Sequence, residues 1–265
     1  MSEKQFKYEI RPGNAAVLVN GQVRGDAAGC PRAILIRDYF GQPKVSDFRS
    51  LVTFATGSAC ETVVFNKLRE EYGDSIRNDV EMSEAVTDDT GVVGHADFVR
   101  KTDEGFEIWE HKTCQSLNTF KKVFVKSEPK LVNIAQMLQY MITAECCEGR
   151  LLYTATLYGD AGKEHKVKAG DQKCYTIRIH TDGTITADEQ MLPFTVQHAL
   201  DWRNYMAGIL ENGLIDDPPT PWEIMPWSVC SGCDFENICE AYNEHREKDI
   251  FFGDVKKLID LRGKR

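Results

Sequence analysis

Residues 94–113, GHADFVRKTDEGFEIWEHKT, carry Asp97 before a turn and Glu110 and Lys112, two apart, after it. Side chains alternate faces along a strand, so Glu110 and Lys112 project together while His111 points away, and Asp97 on a neighbouring strand can stand beside them. Two carboxylates converging on one point repel unless a cation lies between them, and an oxygen set completed by water suits Mg2+ or Mn2+. The backbone carbonyl of His111 is a further oxygen at the same place. A lysine there can orient or deprotonate an attacking water while the metal polarises a phosphodiester oxygen. The chemistry predicted is phosphodiester hydrolysis. The triplet alone carries little weight, because acid-x-Lys recurs at Glu128, Glu164, Asp171 and Asp254. The Glu164-His165-Lys166 copy repeats the same letters but has no acid-bearing strand before it.

A second constellation is CSGCDFENIC, which sets Cys230, Cys233 and Cys239 in a C-x2-C-x5-C array. Thiolates this close in a reducing compartment signal a metal site, either tetrahedral Zn2+ or an iron-sulfur cluster. Three ligands leave either group one short. His245 would complete a local Cys3His zinc knuckle and Cys30 would tie the two ends of the chain together; spacing leaves both open, with the local histidine slightly ahead. Cys60, Cys114, Cys146, Cys147 and Cys174 follow no pattern and read as buried thiols.

Residues 120–126, FKKVFVK, interleave Lys121, Lys122 and Lys126 with Phe120 and Phe124 just after the Glu-x-Lys strand. That combination suits phosphate neutralisation plus base stacking on a single strand of DNA, and equally a solvated loop anchored by two aromatics. The C-terminal VKKLIDLRGKR is also basic and reads as a solvated terminus.

The elements that must position these residues follow from periodicity. Residues 1–56 read as loop and short helix, and TGSACETVVFNKLREEY, Thr56 to Tyr72, as a helix ending before Gly73. Strands are predicted at Val92–Arg100, Gly105–Lys112, Leu151–Tyr158 and Cys174–His180, the first two joined by the turn Asp103-Glu104-Gly105. Pro129–Cys147 carries an apolar stripe of Leu131, Ile134, Leu138, Met141 and Ile142, and a last helix spans about Phe194–Asn212 before the breaker DDPPTPW. Gln136 and Tyr140, one turn apart, share a helix face. This order predicts a layered α/β fold.

The 265 residues, 42% apolar, suffice for one large domain. A formal charge of −9 argues against a passive nucleic-acid coat but not against an enzyme with a local basic groove. The first residues lack a signal-like pattern, no run of about 18 apolar residues occurs, and nine cysteines without export argue against a disulfide framework. A cytoplasmic protein is expected. The absence of GxxxxGK[ST] argues against a motor.

In order along the chain, these elements resemble the PD-(D/E)xK nuclease core, a mixed central sheet flanked by helices, and QMLQY resembles the QxxxY motif of its RecB-type branch. That resemblance implies Asp97 and Glu110 as metal ligands, Lys112 as the residue acting on water, and Gln136 and Tyr140 lining the site. RecB-type members commonly place a His four residues after a Gly, with three between, on the preceding helix. GSACE puts Glu61 there instead, still a hard-metal ligand. GCPRAILIR resembles the Cys-Pro-Arg opening of iron-sulfur RecB-like nucleases, the family numbered four among the Cas proteins, and of AddB-type domains. This implies a [4Fe-4S] cluster on Cys30, Cys230, Cys233 and Cys239 that joins the N- and C-terminal segments of one nuclease domain, residues 1–265, with an N-terminal part at 30–60, a core at 57–215 and a Cys-rich segment at 216–265. The expected function is a Mg2+- or Mn2+-dependent DNA exonuclease acting on single-stranded ends from the 5′ side, with partners in recombination, spacer acquisition or a viral equivalent. The rivals are a non-catalytic partner of a DNA-processing complex and a zinc-knuckle nucleic-acid binding protein.

Overall fold

The computed structural model describes residues 15–20, 22–24, 48–81, 94–156, 159–160 and 166–211. Its centre is a seven-stranded mixed sheet of order β11-β10-β9-β6-β5-β4-β3. The strands are β3 (Ile76–Glu81), β4 (His95–Thr102), β5 (Gly105–Cys114), β6 (Glu148–Ala155), β9 (Gln172–Ile179), β10 (Thr184–Ala187) and β11 (Gln190–Thr195). Two small hairpins stand apart, β1 (Val17–Val19) with β2 (Gln22–Arg24) and β7 (Gly159–Asp160) with β8 (Lys166–Val167). Within the main sheet only β5 and β6 pair in parallel. Such a pair needs a crossover, which α3 (Leu131–Thr143) supplies.

The helices are α1 (Phe48–Tyr72), α2 (Leu117–Phe120) running into a π-turn at Lys121–Val125, α3, and α4 (Val196–Glu211). α1 buries Val64 and Leu68 against Ile76, Phe98, Trp109 and Leu152 on one face of the sheet. α3 buries Ile134, Met137, Leu138 and Met141 among residues of the other face, including Ile108, Leu151, Tyr153 and Ile177. β5 is thus covered on both sides, which is why Glu107 to His111 are all buried. Gly149 lets α3 lie close: a Cβ there would stand 2.9 Å from the Ile108 carbonyl oxygen and collide with the Met137 side chain.

α3 is fastened to α4 by polar groups rather than by apolar ones alone. The fully buried Gln139 donates Nε2 to the Ala199 carbonyl at 3.2 Å and accepts from Arg203 Nε at 3.1 Å, and Arg203 also donates to Thr143 Oγ1 at 3.1 Å. Every polar atom of the Gln139 amide head is thereby occupied inside the core.

The mixed sheet flanked by helices is as expected, while several boundaries differ. α1 begins at Phe48, two turns before the Thr56 start that the apolar spacing marks, because the apolar Phe48, Leu51, Val52 and Phe54 are exposed and form no buried stripe. β3 and β10 lie in segments to which the sequence assigned no element, and β11 covers such a segment and the predicted start of the last helix. β3 is mostly polar, β10 is four residues long, and β11 contains Pro193, which sits exposed. The last helix starts at Val196, since Phe194 belongs to β11 and points into the core. Cys114 and Cys146 are buried as expected, but Cys147 and Cys174 are exposed and Cys60 is partly so. Cys30, Cys230, Cys233, Cys239 and His245 lie outside the described residues. No helix among the described residues is long and apolar enough to cross a membrane.

Candidate active site

β4 and β5 pair in register from Thr102↔Gly105 to Phe98↔Trp109, and there the ladder stops. Beyond it the Asp97 side chain takes over the role of the partner strand: its Oδ2 accepts the His111 N–H at 2.7 Å. The N–H and C=O of a strand residue leave from the same edge, so the His111 carbonyl also faces the Asp97 side. The His111 ring turns to the opposite face and meets Thr154 Oγ1 at 2.9 Å, and its burial lowers its pKa to about 4, with Lys112 adding to the effect. It is a neutral ring with Nε2 paired inside the protein.

Glu110 is 0% exposed. Lys112 Nζ donates to its Oε1 at 2.5 Å, while Oε2 is buried with no hydrogen-bond partner. Burial, only partly offset by Lys112, raises the Glu110 pKa to about 8, with Asp97 and Glu61 adding repulsion. Asp97 is raised as well, first by burial, with Lys112 and the His111 N–H opposing. For Lys112 burial favours the neutral amine, but Glu110 and Asp97 outweigh it and hold the ammonium above its ordinary pKa. Lys112 is therefore charged at neutral pH in the metal-free protein.

Glu61, partly buried on α1, lies within electrostatic reach of Asp97, Asp79, Lys112 and Glu110, and its pKa is raised first by burial and then by Asp97. Tyr140 on α3 is 4% exposed, hydrogen-bonds to Gln136, and is raised first by burial and then by the Glu110 charge. The structure thus gathers Glu61, Asp97, Glu110, Lys112, Gln136 and Tyr140 at the open end of the hairpin.

Lys121, Lys122 and Lys126 lie on the segment that leaves β5 at this end, with Lys121 and Lys126 exposed. Tyr175 holds the segment from beneath by donating to the Val123 carbonyl at 2.6 Å, and Tyr153 Oη holds the start of α3, accepting from Lys130 N at 3.1 Å and Asn133 Nδ2 at 2.8 Å. Phe120, read equally as a base-stacking residue or as an anchor of a solvated loop, is 1% exposed and stacks on Phe124 with centroids 5.5 Å apart, as an anchor does. Phe124 is itself packed partly against the core. Helical winding of this stretch turns its aromatics inward and leaves the lysines at the surface.

Asp79 escaped the reading of the sequence. The β3–β4 register, Asn78↔Phe98 and Val80↔Ala96, sets Asp79 opposite Asp97 at an unpaired rung, and both Glu61 and Asp97 feel its charge. Its φ of 50° inverts the strand: Ile76 packs under α1, whereas Val80 packs in the α3 cluster, although alternation would put both on one face. The only local signal is Asn-Asp inside a short strand, residue types depleted from sheets and tolerant of left-handed backbone.

Four acids around one lysine form a hard, all-oxygen environment, and the Oε2 of the fully buried Glu110, which has no hydrogen-bond partner, suits coordination to a divalent cation. Among the described residues no three His, Cys, Asp or Glu side chains close around a point. A cation held here would keep water or substrate oxygens in its shell, as Mg2+ commonly does.

Residues 42–240, well over half of the chain, match the family model described as the PD-(D/E)XK nuclease superfamily. The chain belongs to that superfamily. Among solved structures, this PD-(D/E)XK protein superposes on a phage-related exonuclease from Haemophilus somnus 129PT with a TM-score of 0.52 at 12% identity, over 79% of this chain and 96% of that one. The structure of SSO0001 covers 90% of this chain and 89% of its own at 15% identity, with a TM-score of 0.47. At such identity the likeness to the exonuclease is one of fold. No curated protein sequence matches the chain. PD-(D/E)XK nucleases typically use Mg2+ or Mn2+, in keeping with the oxygen-rich site.

Proposed function

We infer that this PD-(D/E)XK protein is a divalent-metal-dependent exonuclease that hydrolyses DNA, preferring single-stranded ends and working from the 5′ side. The observation that carries the reading is the buried Glu110, with one oxygen on Lys112 and the other on nothing, beside Asp97 where the hairpin opens. Asp97, Glu110 and the His111 carbonyl hold Mg2+ or Mn2+, assisted by Glu61. Bound there, the cation supplies a Lewis acid toward the phosphodiester and makes water a better nucleophile. Lys112, kept charged by its carboxylate neighbours, aims an N–H at the attacking water or at the charge developing on the phosphate. Tyr140 and Gln136 fix the wall behind Glu110, and Lys121, Lys122 and Lys126 neutralise the substrate backbone. Phe124 is a partial stacking surface, while Phe120 fixes the segment that carries the lysines.

Single-strand and end preference is supported by that lysine segment and by the fold likeness to a phage-related exonuclease. The C-x2-C-x5-C spacing and Cys-Pro-Arg support a [4Fe-4S] cluster on Cys30, Cys230, Cys233 and Cys239, which would staple the ends of a single nuclease domain spanning residues 1–265. Its thiolates call for a reducing compartment, the cytoplasm, and DNA-processing proteins are the proposed partners.

The test is digestion of end-labelled single- and double-stranded DNA with Mg2+ or Mn2+, wild type against Lys112→Ala, both purified under low oxygen. Cleavage lost only in the variant supports the mechanism, and the labelled end released gives the polarity. Full activity of Lys112→Ala, or none in folded, metal-loaded wild type, overturns it. Iron and acid-labile sulfide in the protein, lost in both Cys30→Ser and Cys233→Ser, check the cluster; zinc lost in His245→Ala but retained in Cys30→Ser assigns a knuckle instead.

A further inference from the structure

The turn end of the β4–β5 hairpin, away from the acids of the candidate active site, has its own set of buried polar groups. Between that turn and the connection from α3 to β6 lies a cleft of about 640 Å³. Arg100 and Glu107 line it. Glu107 is 5% exposed; its Oε2 accepts from Arg100 at 3.0 Å, while its Oε1 faces Arg150 Nε at 3.5 Å and makes no hydrogen bond. Arg100 Nε is likewise buried without a hydrogen-bond partner. Both atoms are sealed from solvent, so the accessible polarity of the cleft comes from its rim. Around them Asp103, Glu104 and Glu145 are exposed and make no ion pair among the described residues. Phe106, 45% exposed, adds an apolar ledge.

This rim repels nucleic acid and attracts cations. A peptide bearing Lys or Arg meets the exposed features: its cationic head sits among the carboxylates of Asp103, Glu104 and Glu145, and an apolar neighbour covers Phe106. We propose that the cleft docks a basic segment of a partner protein, with a Lys or Arg next to an apolar side chain. The stretch of β4 from Asp97 to Thr102 keeps the two ends roughly 17 Å apart at strand spacing, so a partner can be held while DNA occupies the other end. The proposal rests on the cleft and its charge, and its readout is binding rather than cleavage.

Random short peptides displayed on phage are selected against the full-length protein. Enriched sequences are then synthesised with a fluorophore and titrated by anisotropy against wild type, Asp103→Lys and Glu145→Lys. Both positions are exposed, and both variants are expected to keep wild-type melting and nuclease activity. The expected result is enrichment of Lys or Arg beside apolar residues, with affinity falling about tenfold in each variant and further with added salt. Labelled single-stranded DNA should not displace the peptides. Enrichment of neutral or acidic sequences, equal binding to all three proteins, or displacement by DNA overturns the proposal. Self-association of wild type that Asp103→Lys abolishes would assign the cleft to a second copy of the chain and would also overturn it.

Discussion

Three residues apart on β5, Glu107 and Glu110 are both buried acids, yet their surroundings differ in kind. Glu107 faces two guanidiniums, Arg100 at 3.0 Å and Arg150 at 3.5 Å, and Arg150 continues the ladder to Glu148 at 2.7 Å and on to Arg178. Arg100 also lies over the Tyr72 ring at 4.6 Å. Glu110 faces one ammonium, with Asp97, Glu61 and Asp79 nearby; each acid has one oxygen without a hydrogen bond, but that of Glu107 lies 3.5 Å from Arg150 Nε. A buried acid matched by cations stabilises a hairpin. One left short of positive charge is poised to take a cation and is retained at a cost in stability.

The largest effect that tests this contrast is on cleavage. Glu110→Gln should lower the rate about a thousandfold or more, because it removes a metal-binding charge from a preorganised site, whereas Glu107→Gln should cleave at near wild-type rate in assays at low temperature. Chelation by EDTA should silence wild type and leave both variants folded, as circular dichroism would show. Equal loss of activity in the two variants would erase the distinction.

Next in size is stability, and there the order reverses. Glu107→Gln should destabilise by about 3 kcal/mol, the usual cost of breaking a buried pair and stranding its cation. Glu110→Gln should melt higher than wild type above neutral pH, because a neutral amide avoids burying an ionised carboxylate. Denaturant unfolding of the two variants side by side checks both signs.

A pH profile sharpens the point. The folded pKa of Glu110, about 8, lies above its ordinary value of 4.5. The folded state therefore holds a proton that the unfolded chain gives up. Its contribution is complete below about pH 4.5 and is lost as pH rises through 8. Metal-free wild type should lose a few kcal/mol across that window, Glu110→Gln should lose less, and added Mn2+ should flatten the slope. A metal-free wild type with no greater loss than Glu110→Gln would refute the reading of Glu110.

The smallest expected effect concerns the lysine segment at the open end. Tyr175→Phe deletes the hydrogen bond to the Val123 carbonyl and should cost about 1 kcal/mol. Loosening residues 121–126 should raise KM for DNA more than it lowers kcat, with no change at the turn end. A fall in kcat alone would place the segment closer to the chemistry than to substrate binding.

Much of this was legible in the chain before folding. The hairpin announced itself by alternation around Asp103-Glu104-Gly105, and α3 by a stripe at helical spacing, since β5 and α3 each bury a continuous surface that their periods must record. β3, β10 and β11 left no such record: they are short, polar or broken by Pro193, and their pairing comes from neighbours already in place. The α1 start was hidden because Phe48, Leu51, Val52 and Phe54, its first apolar residues, are exposed.

By itself the sequence determined the acid-and-lysine hairpin, the helix bearing Gln136 and Tyr140, and the family to which the chain belongs, because strand and helix periods are local properties of the backbone. Only the tertiary structure decided that Asp79 stands across from Asp97, that Phe120 faces the core rather than a base, and that Glu107 faces two guanidiniums while Glu110 faces one ammonium among other acids. Each of those depends on which strand or helix lies alongside, and the charge or burial of a side chain is set by neighbours that sequence distance does not reveal.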